Sequence, residues 1–259
     1  MAGTTPRVIN SLQRAFNILD LFDEQTAELG ITEIAETLGL HKSTAAGLVY
    51  TLEYNGYLGQ DSENRKYGLG FKLVERASTL LDQIDVRRVA FPFLQELRDW
   101  SGESVNLAVQ DGGQIVYVER LTSTQSLGMR AKVGYRAPMH CTALGKAILS
   151  GLSQDKAVEL VAQYGLPAAT ALSITDPAQF LQEIDRSRQL GFAVDNEENE
   201  IGVRCVAAPI FDHTDRPVAA VSVSSPVLRF PLSEVLSYGQ KVVEAANAIS
   251  TRLGHGLQG

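Results

Sequence analysis

Two polar segments of this chain could bind a partner, and each stands where a helical pattern begins. Residues 41–44, His-Lys-Ser-Thr, open a helix directly after a glycine-containing turn. Residues 139–146, Met-His-Cys-Thr-Ala-Leu-Gly-Lys, lead into another helix. The free backbone N–H groups at a helix start attract carboxylates and other anions. The first segment suits a DNA groove, and the second suits a small organic acid.

Two other groups of residues could suggest a metal site and a catalytic pair, but the sequence favours neither. The acidic run at positions 195–200 has carboxylates at alternating spacing, as in a site for a hard cation, but it lacks the remaining positions of an EF-hand. We interpret it as a solvated loop and predict no metal and no cofactor. His140 beside Cys141 resembles a base and a nucleophile, but neighbouring residues seldom face each other and no third orienting group is apparent. The chain is therefore not expected to be an enzyme.

Composition limits the classes of protein to which the chain can belong. Its 259 residues are enough for two compact domains, and no apolar run is long enough to span a bilayer. No secretory signal is visible at the start, so a cytoplasmic location is expected. Cys141 and Cys205 are the only cysteines, too few for a disulfide framework. The net charge of −7 argues against non-specific binding of polyanions, so any nucleic-acid site must be local.

The first 70 residues predict a small, mostly α domain. Apolar spacing predicts a helix over 11–22 and a short helix over 31–38 that ends at Gly39. A further helix follows from position 42, with two short strands at 57–60 and 67–70 around a polar hairpin. The predicted buried stripe of the first helix consists of Leu12, Ala15, Phe16, Leu19 and Phe22.

Two short helices followed by a two-stranded wing form the geometry that lays the second helix in a major groove. Similar shapes occur in proteins that never touch DNA, and residues 1–70 hold five basic and nine acidic side chains. Any DNA binding by this domain must therefore depend on specific local contacts rather than on its net charge. The residues that we predict to contact DNA are Arg14, His41, Lys42, Ser43, Thr44, Tyr50, Arg65 and Lys66.

The rest of the chain predicts a connecting helix and a larger domain. Positions 71–89 show one apolar stripe from Phe71 to Ile84 without glycine or proline, as in a linker helix that could pair with a second copy. Beyond Phe91-Pro92, alternating segments at 104–110, 114–121, 203–211 and 217–225 mix with helical patterns, which predicts an α+β domain. We therefore expect a winged helix-turn-helix at 8–70, a linker helix at 71–89 and an effector-binding domain at 90–256.

Several separated motifs resemble the IclR family of bacterial transcriptional regulators: SLQRAFNILDLF, ITEIAETLGLHKST, YGLG, MHCTALGKAILS and DNEENEIGVRCVAAPIF. The resemblance covers nearly the whole chain. It implies a winged helix-turn-helix, a linker helix and a GAF-like effector domain, assembled as dimers or dimers of dimers. One departure is Ala46-Gly47, where many members have a polar pair in the recognition helix; Gly47 either permits a close approach to DNA or is merely tolerated.

The resemblance also implies which positions contact an effector: Met129, Ala143, Leu144, Asp195, Cys205, Ser222 and Ser224. Strand alternation supports part of this set, since Ser222 and Ser224 share one face of a strand with Ala220. Without the family, the serines could equally face solvent and Asp195 could cap a loop. Cys205, in an apolar strand, is expected to line the pocket or the core rather than to react.

The sequence thus predicts a ligand-responsive regulator that binds operator double-stranded DNA and controls a catabolic operon in response to a small organic acid. Aromatic acids and short keto acids both fit the expected apolar walls. The alternatives are a redox or zinc sensor that uses His140, Cys141 and Cys205, and a small-molecule enzyme. No membrane partner is expected.

Overall fold

A computed structural model describes residues 8–23, 25–82, 85–123 and 132–256. The chain divides into two compact units, residues 1–83 and 84–259. Across the described residues, no helix has the length and apolar character needed to cross a membrane.

The N-terminal unit has the predicted order of helices and wing. Its elements are α1 (Asn10–Leu19), α2 (Ile31–Thr37), α3 (Lys42–Tyr54), β1 (Leu58–Gln60), β2 (Tyr67–Leu69) and α4 (Lys72–Asp82). β1 and β2 pair antiparallel as a two-stranded sheet. The winged helix-turn-helix prediction is therefore confirmed.

Local interactions set the angle between α2 and α3. Glu33 accepts a hydrogen bond from Gly30 N at 2.6 Å, which caps the start of α2. Gly39 has a φ of 62°, the left-handed conformation that a tight turn requires and that glycine adopts without strain. A compact core of Ile34, Ala45 and Val49 then holds α2 against α3. The packed side of α3 leaves the opposite side free.

The predicted stripe of α1 is partly wrong. Ile18, which was not assigned to the stripe, is the fully buried residue of α1, and Leu19 packs against the same core. Leu12 and Phe16 are more than half exposed. The helix is only ten residues long and touches the core near its end, so its early apolar positions lie beyond the core of their own unit.

The C-terminal unit is an α+β domain, as predicted. One six-stranded antiparallel sheet has the order β5-β4-β3-β8-β7-β6. The strands are β3 (Ser104–Asp111), β4 (Gln114–Leu121), β5 (Arg136–Pro138), β6 (Ala193–Asn196), β7 (Val203–Phe211) and β8 (Pro217–Pro226). The helices are α5 (Asp85–Ser101), α6 (Ala143–Gly151), α7 (Gln154–Tyr164), α8 (Pro177–Leu190) and α9 (Val235–Arg252), with a short 3₁₀ helix, Leu232–Glu234, before α9.

The edge strands β5 and β6 were not predicted, and the helix α5 extends further than expected. β5 and β6 have three and four residues, too few to show a period. The sequence places a change of character at Phe91-Pro92, but α5 continues through Pro92 to Ser101. Ala90, Leu94 and Leu97 form its buried stripe, and their packing offsets the hydrogen bond that proline cannot donate. Residues 71–89 thus include α4 and the first turns of α5.

Candidate DNA-reading face and effector cavity

The exposed side of α3 is the candidate DNA-reading face. His41 precedes the helix without capping it through its side chain, and Lys42 and Ser43 lie exposed in its first turn. Thr44 is half-buried, and Tyr50 is 54% exposed two turns later. These predicted residues therefore share an accessible surface, although nothing in the structure tests whether they touch DNA.

The predicted phosphate contacts differ in their surroundings. Arg65 is exposed at the hairpin tip of the wing and has a φ of 58°. Lys66 instead pairs with Glu33 of α2, with Nζ 3.1 Å from Oε1. Arg14 is exposed on α1. Because Glu33 already neutralises Lys66, Arg65 and Arg14 are the stronger candidates for attracting phosphate.

Gly47 lies on the exposed side of α3, and no packing requires it to be glycine. A Cβ at this position would meet no atom within 4 Å, and the backbone is helical. Glycine in a helix interior costs about 1 kcal/mol relative to alanine. The chain therefore accepts this cost without any benefit inside the unit itself.

The candidate effector cavity lies between the start of α6 and the middle of the sheet. Its volume is about 20 Å³, room for about one water molecule. Six of the seven predicted ligand residues line it, and the seventh, Met129, lies outside the described residues. The lining residues are Tyr117, Thr142, Ala143, Leu144, Asp195, Asn199, Val203, Cys205, Ser222 and Ser224.

The start of α6 presents hydrogen-bond donors to this cavity. Thr142 caps the helix, accepting from Gly145 N at 3.2 Å and donating to Pro138 O at 2.8 Å. Among the described residues, no partner accepts from the backbone N–H of Ala143 or Leu144. Both residues are buried. A buried N–H without a partner is costly, so this helix start is suited to an anionic oxygen.

Opposite the helix start, two buried hydroxyl groups belong to β8. Cys205 of β7 pairs with Ser224 and Ala207 pairs with Ser222, so these four side chains lie on one face of the sheet. Ser222 and Ser224 are buried rather than facing solvent. Asn106 on β3 donates to both serine Oγ atoms, at 3.3 and 3.1 Å. The Ser224 hydroxyl also hydrogen-bonds the Cys205 side chain. Because the Ser222 oxygen accepts from Asn106, its own proton remains available for another acceptor.

Asp195 at the end of β6 both caps a loop and lines the cavity. Its Oδ1 accepts from Glu198 N at 2.8 Å and from Asn199 N at 3.3 Å. Burial raises the pKa of the Asp195 carboxyl to about 7, although the nearby Lys146 opposes this shift. Asp195 is therefore partly protonated near neutral pH, and its neutral form can donate to a ligand.

A buried lysine holds the loop that follows Asp195. Lys146 of α6 has no exposed surface, and its Nζ lies 2.6 Å from Glu198 Oε1 and 3.6 Å from Glu183 Oε1. The second oxygen of Glu198 is buried and has no hydrogen-bond partner in the described part of the chain. The prediction that the acidic run is a solvated loop is therefore wrong for Asp195 and Glu198, because α6 packs over them and supplies the compensating charge.

His140 and the cysteines do not form a nucleophile–base pair. The His140 ring bonds Pro167 O through Nε2 at 2.8 Å, and burial lowers its pKa. Cys141 contacts Asn199 Oδ1 at 3.7 Å, and burial raises the pKa of its thiol to about 12. Burial likewise raises the pKa of Cys205. Neither cysteine is a thiolate at neutral pH, which disfavours the redox-sensor alternative.

Sequence reasoning missed four residues of this region: Tyr117, Asn199, Asn106 and Lys146. Alternation along β3 and β4 puts Asn106 and Tyr117 on definite faces, but the order of the sheet was needed to bring those faces together.

Within the part of the chain that the structure describes, no three His, Cys, Asp or Glu side chains are grouped to hold a metal.

Comparison with known proteins agrees with this architecture. The IclR helix-turn-helix domain matches residues 11–62, and the bacterial transcriptional regulator IclR C-terminal domain matches residues 78–251. The HTH-type transcriptional regulator XynR of Escherichia coli is 37% identical over 248 residues, which are 96% of this chain and 98% of that protein. KdgR of Dickeya chrysanthemi is 33% identical over 96% of this chain and 82% of its own length.

Solved structures give the same result. The IclR structure from Thermotoga maritima has a TM-score of 0.83 at 34% identity, covering 95% of this chain and 99% of that one. An IclR homologue from Microbacterium hydrocarbonoxydans, crystallised with 4-hydroxybenzoate, has a TM-score of 0.81 at 24% identity, covering 94% and 98%. The winged helix-turn-helix and the GAF-like domain thus occur here in the chain order of one family of regulators, which are not enzymes. The chain belongs to the IclR family of bacterial transcriptional regulators.

Proposed function

We propose that the protein binds operator DNA through α3 and the wing, and that a small organic acid in the cavity at the start of α6 changes this binding. The observation behind the effector proposal is that the N–H groups of Ala143 and Leu144, two buried residues, have no partner among the described residues and line the same cavity as Ser222 and Ser224. Because its partner is operator DNA, the protein would work in the cytoplasm. It would control a catabolic operon, and the acid would be a substrate or product of the enzymes that this operon encodes.

The proposed contacts divide into two kinds. Lys42, Ser43 and Thr44 would read base edges, with His41 and Tyr50 beside them. Arg14, Arg65 and Lys66 would contact phosphate and give affinity without sequence preference. The protein's net charge of −7 has the same sign as the charge of DNA, so the chain as a whole repels DNA and these local contacts are necessary.

The effector carboxylate would accept from the start of α6, while the serine hydroxyls donate to its other oxygens. Asp195 would donate when protonated, or accept from a ligand hydroxyl. Each buried polar atom of the acid needs such a partner, since a missing one costs about 1–3 kcal/mol. Met129 is proposed as a further contact on the resemblance alone.

The size of the cavity favours a short acid. A volume of about 20 Å³ holds about one water, so even a keto acid of three carbons must move side chains apart, and an aromatic acid must move them further. The Microbacterium homologue was crystallised with 4-hydroxybenzoate, which keeps aromatic acids among the ligands to test.

The minimal working unit would be a dimer. Phe71, directly before α4, is 87% exposed, Val74 on α4 is 62% exposed, and Phe16 on α1 is 58% exposed. Apolar side chains at this density on one small unit suit burial against a second copy. Helix-turn-helix modules read paired half-sites as dimers, so pairing would raise operator affinity. A dimer of dimers is the corresponding larger assembly.

The test uses the full chain, its own upstream intergenic DNA, and pyruvate and 4-hydroxybenzoate as probes. We expect a salt-dependent gel shift that one of the acids changes at a concentration that also raises the melting temperature. Ser222→Ala should weaken the response to the acid and leave the shift without acid intact. A shift that neither acid changes, or an acid response that Ser222→Ala leaves unaltered, would contradict the effector proposal. Absence of any specific shift would contradict the DNA proposal.

A further inference from the structure

A second and larger cavity lies in the C-terminal unit, on the other side of the segment that precedes α6. Its volume is about 480 Å³, within the range of sites for small molecules. Pro138, Met139 and His140 line it, whereas residues 142–144, directly after them, line the effector cavity. The two cavities share none of their lining residues.

The floor of this cavity is apolar and belongs to the core. Met139, Leu160 and Phe180 line it and are buried members of the main hydrophobic cluster. The aromatic ring of Tyr164 lies close to the backbone of Gly112 and Gly113; a Cβ on Gly113 would come within 2.4 Å of that ring. Such a floor suits a flat or bulky apolar group, since aromatic faces pack well against one another.

The mouth has one positive and one negative side chain, already oriented toward each other. Arg136 Nη2 lies 2.7 Å from Asp111 Oδ2, and Arg136 Nε donates to Gln114 Oε1 at 2.8 Å. Within the described residues the second terminal nitrogen, Nη1, donates no hydrogen bond. The guanidinium can thus take a carboxylate through Nη1 while it keeps Asp111, and the free lone pairs of Asp111 can take an ammonium group.

His140 adds a polar group beside the apolar floor. Its Nε2 meets the carbonyl oxygen of Pro167, which can only accept, so Nε2 holds the proton. Burial lowers the pKa of His140, so the ring is neutral near pH 7. In this form Nδ1 is an acceptor, suited to the hydroxyl or N–H group of an aromatic ring.

We propose that this cavity binds a free aromatic α-amino acid, with its carboxylate at Arg136, its ammonium group at Asp111 and its ring on the floor of Met139, Leu160 and Phe180. A zwitterion matches the paired charges of the mouth, whereas a simple acid or amine matches only one of them. The site is separate from the effector cavity and does not depend on the proposed function.

Calorimetry on the full chain tests the proposal with L-tyrosine and L-phenylalanine as probes. Phenylpropanoate lacks the ammonium group, and phenethylamine lacks the carboxylate. We expect saturable binding of one molecule per chain by at least one amino acid. Each analogue should bind about tenfold more weakly, since each loses one charge-assisted hydrogen bond. Equal binding of phenylpropanoate, or no saturable binding of either amino acid at millimolar concentration, would overturn the proposal.

Amino-acid substitutions at the mouth of the cavity test whether the ligand binds there. Arg136→Gln and Asp111→Asn each change one exposed side chain of the mouth and should each lower affinity about tenfold. Lys156→Gln is the matched control, because it breaks a similarly exposed ion pair with Glu159 on α7 that does not line the cavity. Ser222→Ala should leave amino-acid binding unchanged. Loss of binding in Ser222→Ala, or unchanged binding in Arg136→Gln, would place the ligand elsewhere and refute the assignment.

Discussion

Replacing Gly47 with alanine should make the protein more stable and a weaker binder of its operator. The position is in the interior of α3, and a Cβ there would face open space. Alanine should therefore gain the full difference in helix propensity, about 1 kcal/mol. The hydrogen bond from Thr51 Oγ1 to Gly47 O at 2.7 Å involves the backbone oxygen and is retained. For a unit of this size the melting temperature should rise by about 4–8 °C.

The DNA half of this prediction follows from the same open space. If α3 lies in the major groove, the missing Cβ lets its backbone approach the DNA, and each added atom pushes the helix away. Gly47→Ala should lower operator affinity, and Gly47→Leu should lower it further, although leucine is nearly as good a helix former. The loss should be specific to the operator, with binding to unrelated duplex changed little.

The measurements need probes that follow the N-terminal unit. The single tryptophan, Trp100, lies in α5 of the C-terminal unit, so calorimetry and circular dichroism are preferable to intrinsic fluorescence. Operator affinity is measured by anisotropy at several salt concentrations. A stable Gly47→Leu variant with unchanged operator affinity would show that this side of α3 does not face the groove. A Gly47→Ala variant of lower stability would show that the position is not the open helix surface described.

Three further predictions concern the other surfaces. Arg65→Ala should weaken binding to all DNA sequences alike and reduce the log–log salt slope by about 1, whereas Lys42→Ala should cost roughly 1–3 kcal/mol on the operator alone, both measured by anisotropy. Val74→Ser should shift the protein from dimer to monomer in light scattering at micromolar concentration; an unchanged mass would place the dimer contact elsewhere. Effector binding by an acid should take up a proton at Asp195, so affinity should fall as pH rises above about 7, by up to tenfold per unit. Asp195→Asn should remove this dependence in calorimetry, and a retained slope would assign the proton to another group.

The sign of the pH dependence follows from the charges around Asp195. Below pH 7 its carboxyl is mostly neutral, and an incoming carboxylate meets a donor rather than a like charge. Above pH 7 the two negative groups repel each other in a buried place, where the effective dielectric constant is low. Glu198 adds to this repulsion and Lys146 opposes it. Glu198 bonds Lys146 directly, so one positive charge serves both carboxyl groups.

Much of the fold could be predicted because its signals are local. The turn at Gly39, the polar hairpin before Lys66 and the alternation through Ser222 and Ser224 each depend on residues close together in the chain. The predicted stripe of α1 is partly wrong because the helix meets the core of its unit only near its end, at Ile18 and Leu19, and a helical period alone does not show which apolar positions are buried. The order of the sheet, which puts Asn106 beside the serines, depends on pairings more than a hundred residues apart.

Lys146 shows most clearly where sequence reasoning ends. Lysine is almost never fully buried unless it is paired, so a lysine in an apolar helix suggests an exposed position. Here α6 is buried from Ala143 to Ser150, and Lys146 reaches Glu198, 52 residues away. Moving a charge from water into the protein interior costs several kcal/mol, and a close partner of opposite charge offsets that cost only if the geometry is good. The pair therefore fixes the loop after Asp195 relative to the start of α6. The two sides of the effector cavity are held together by the same contact that the sequence pattern conceals.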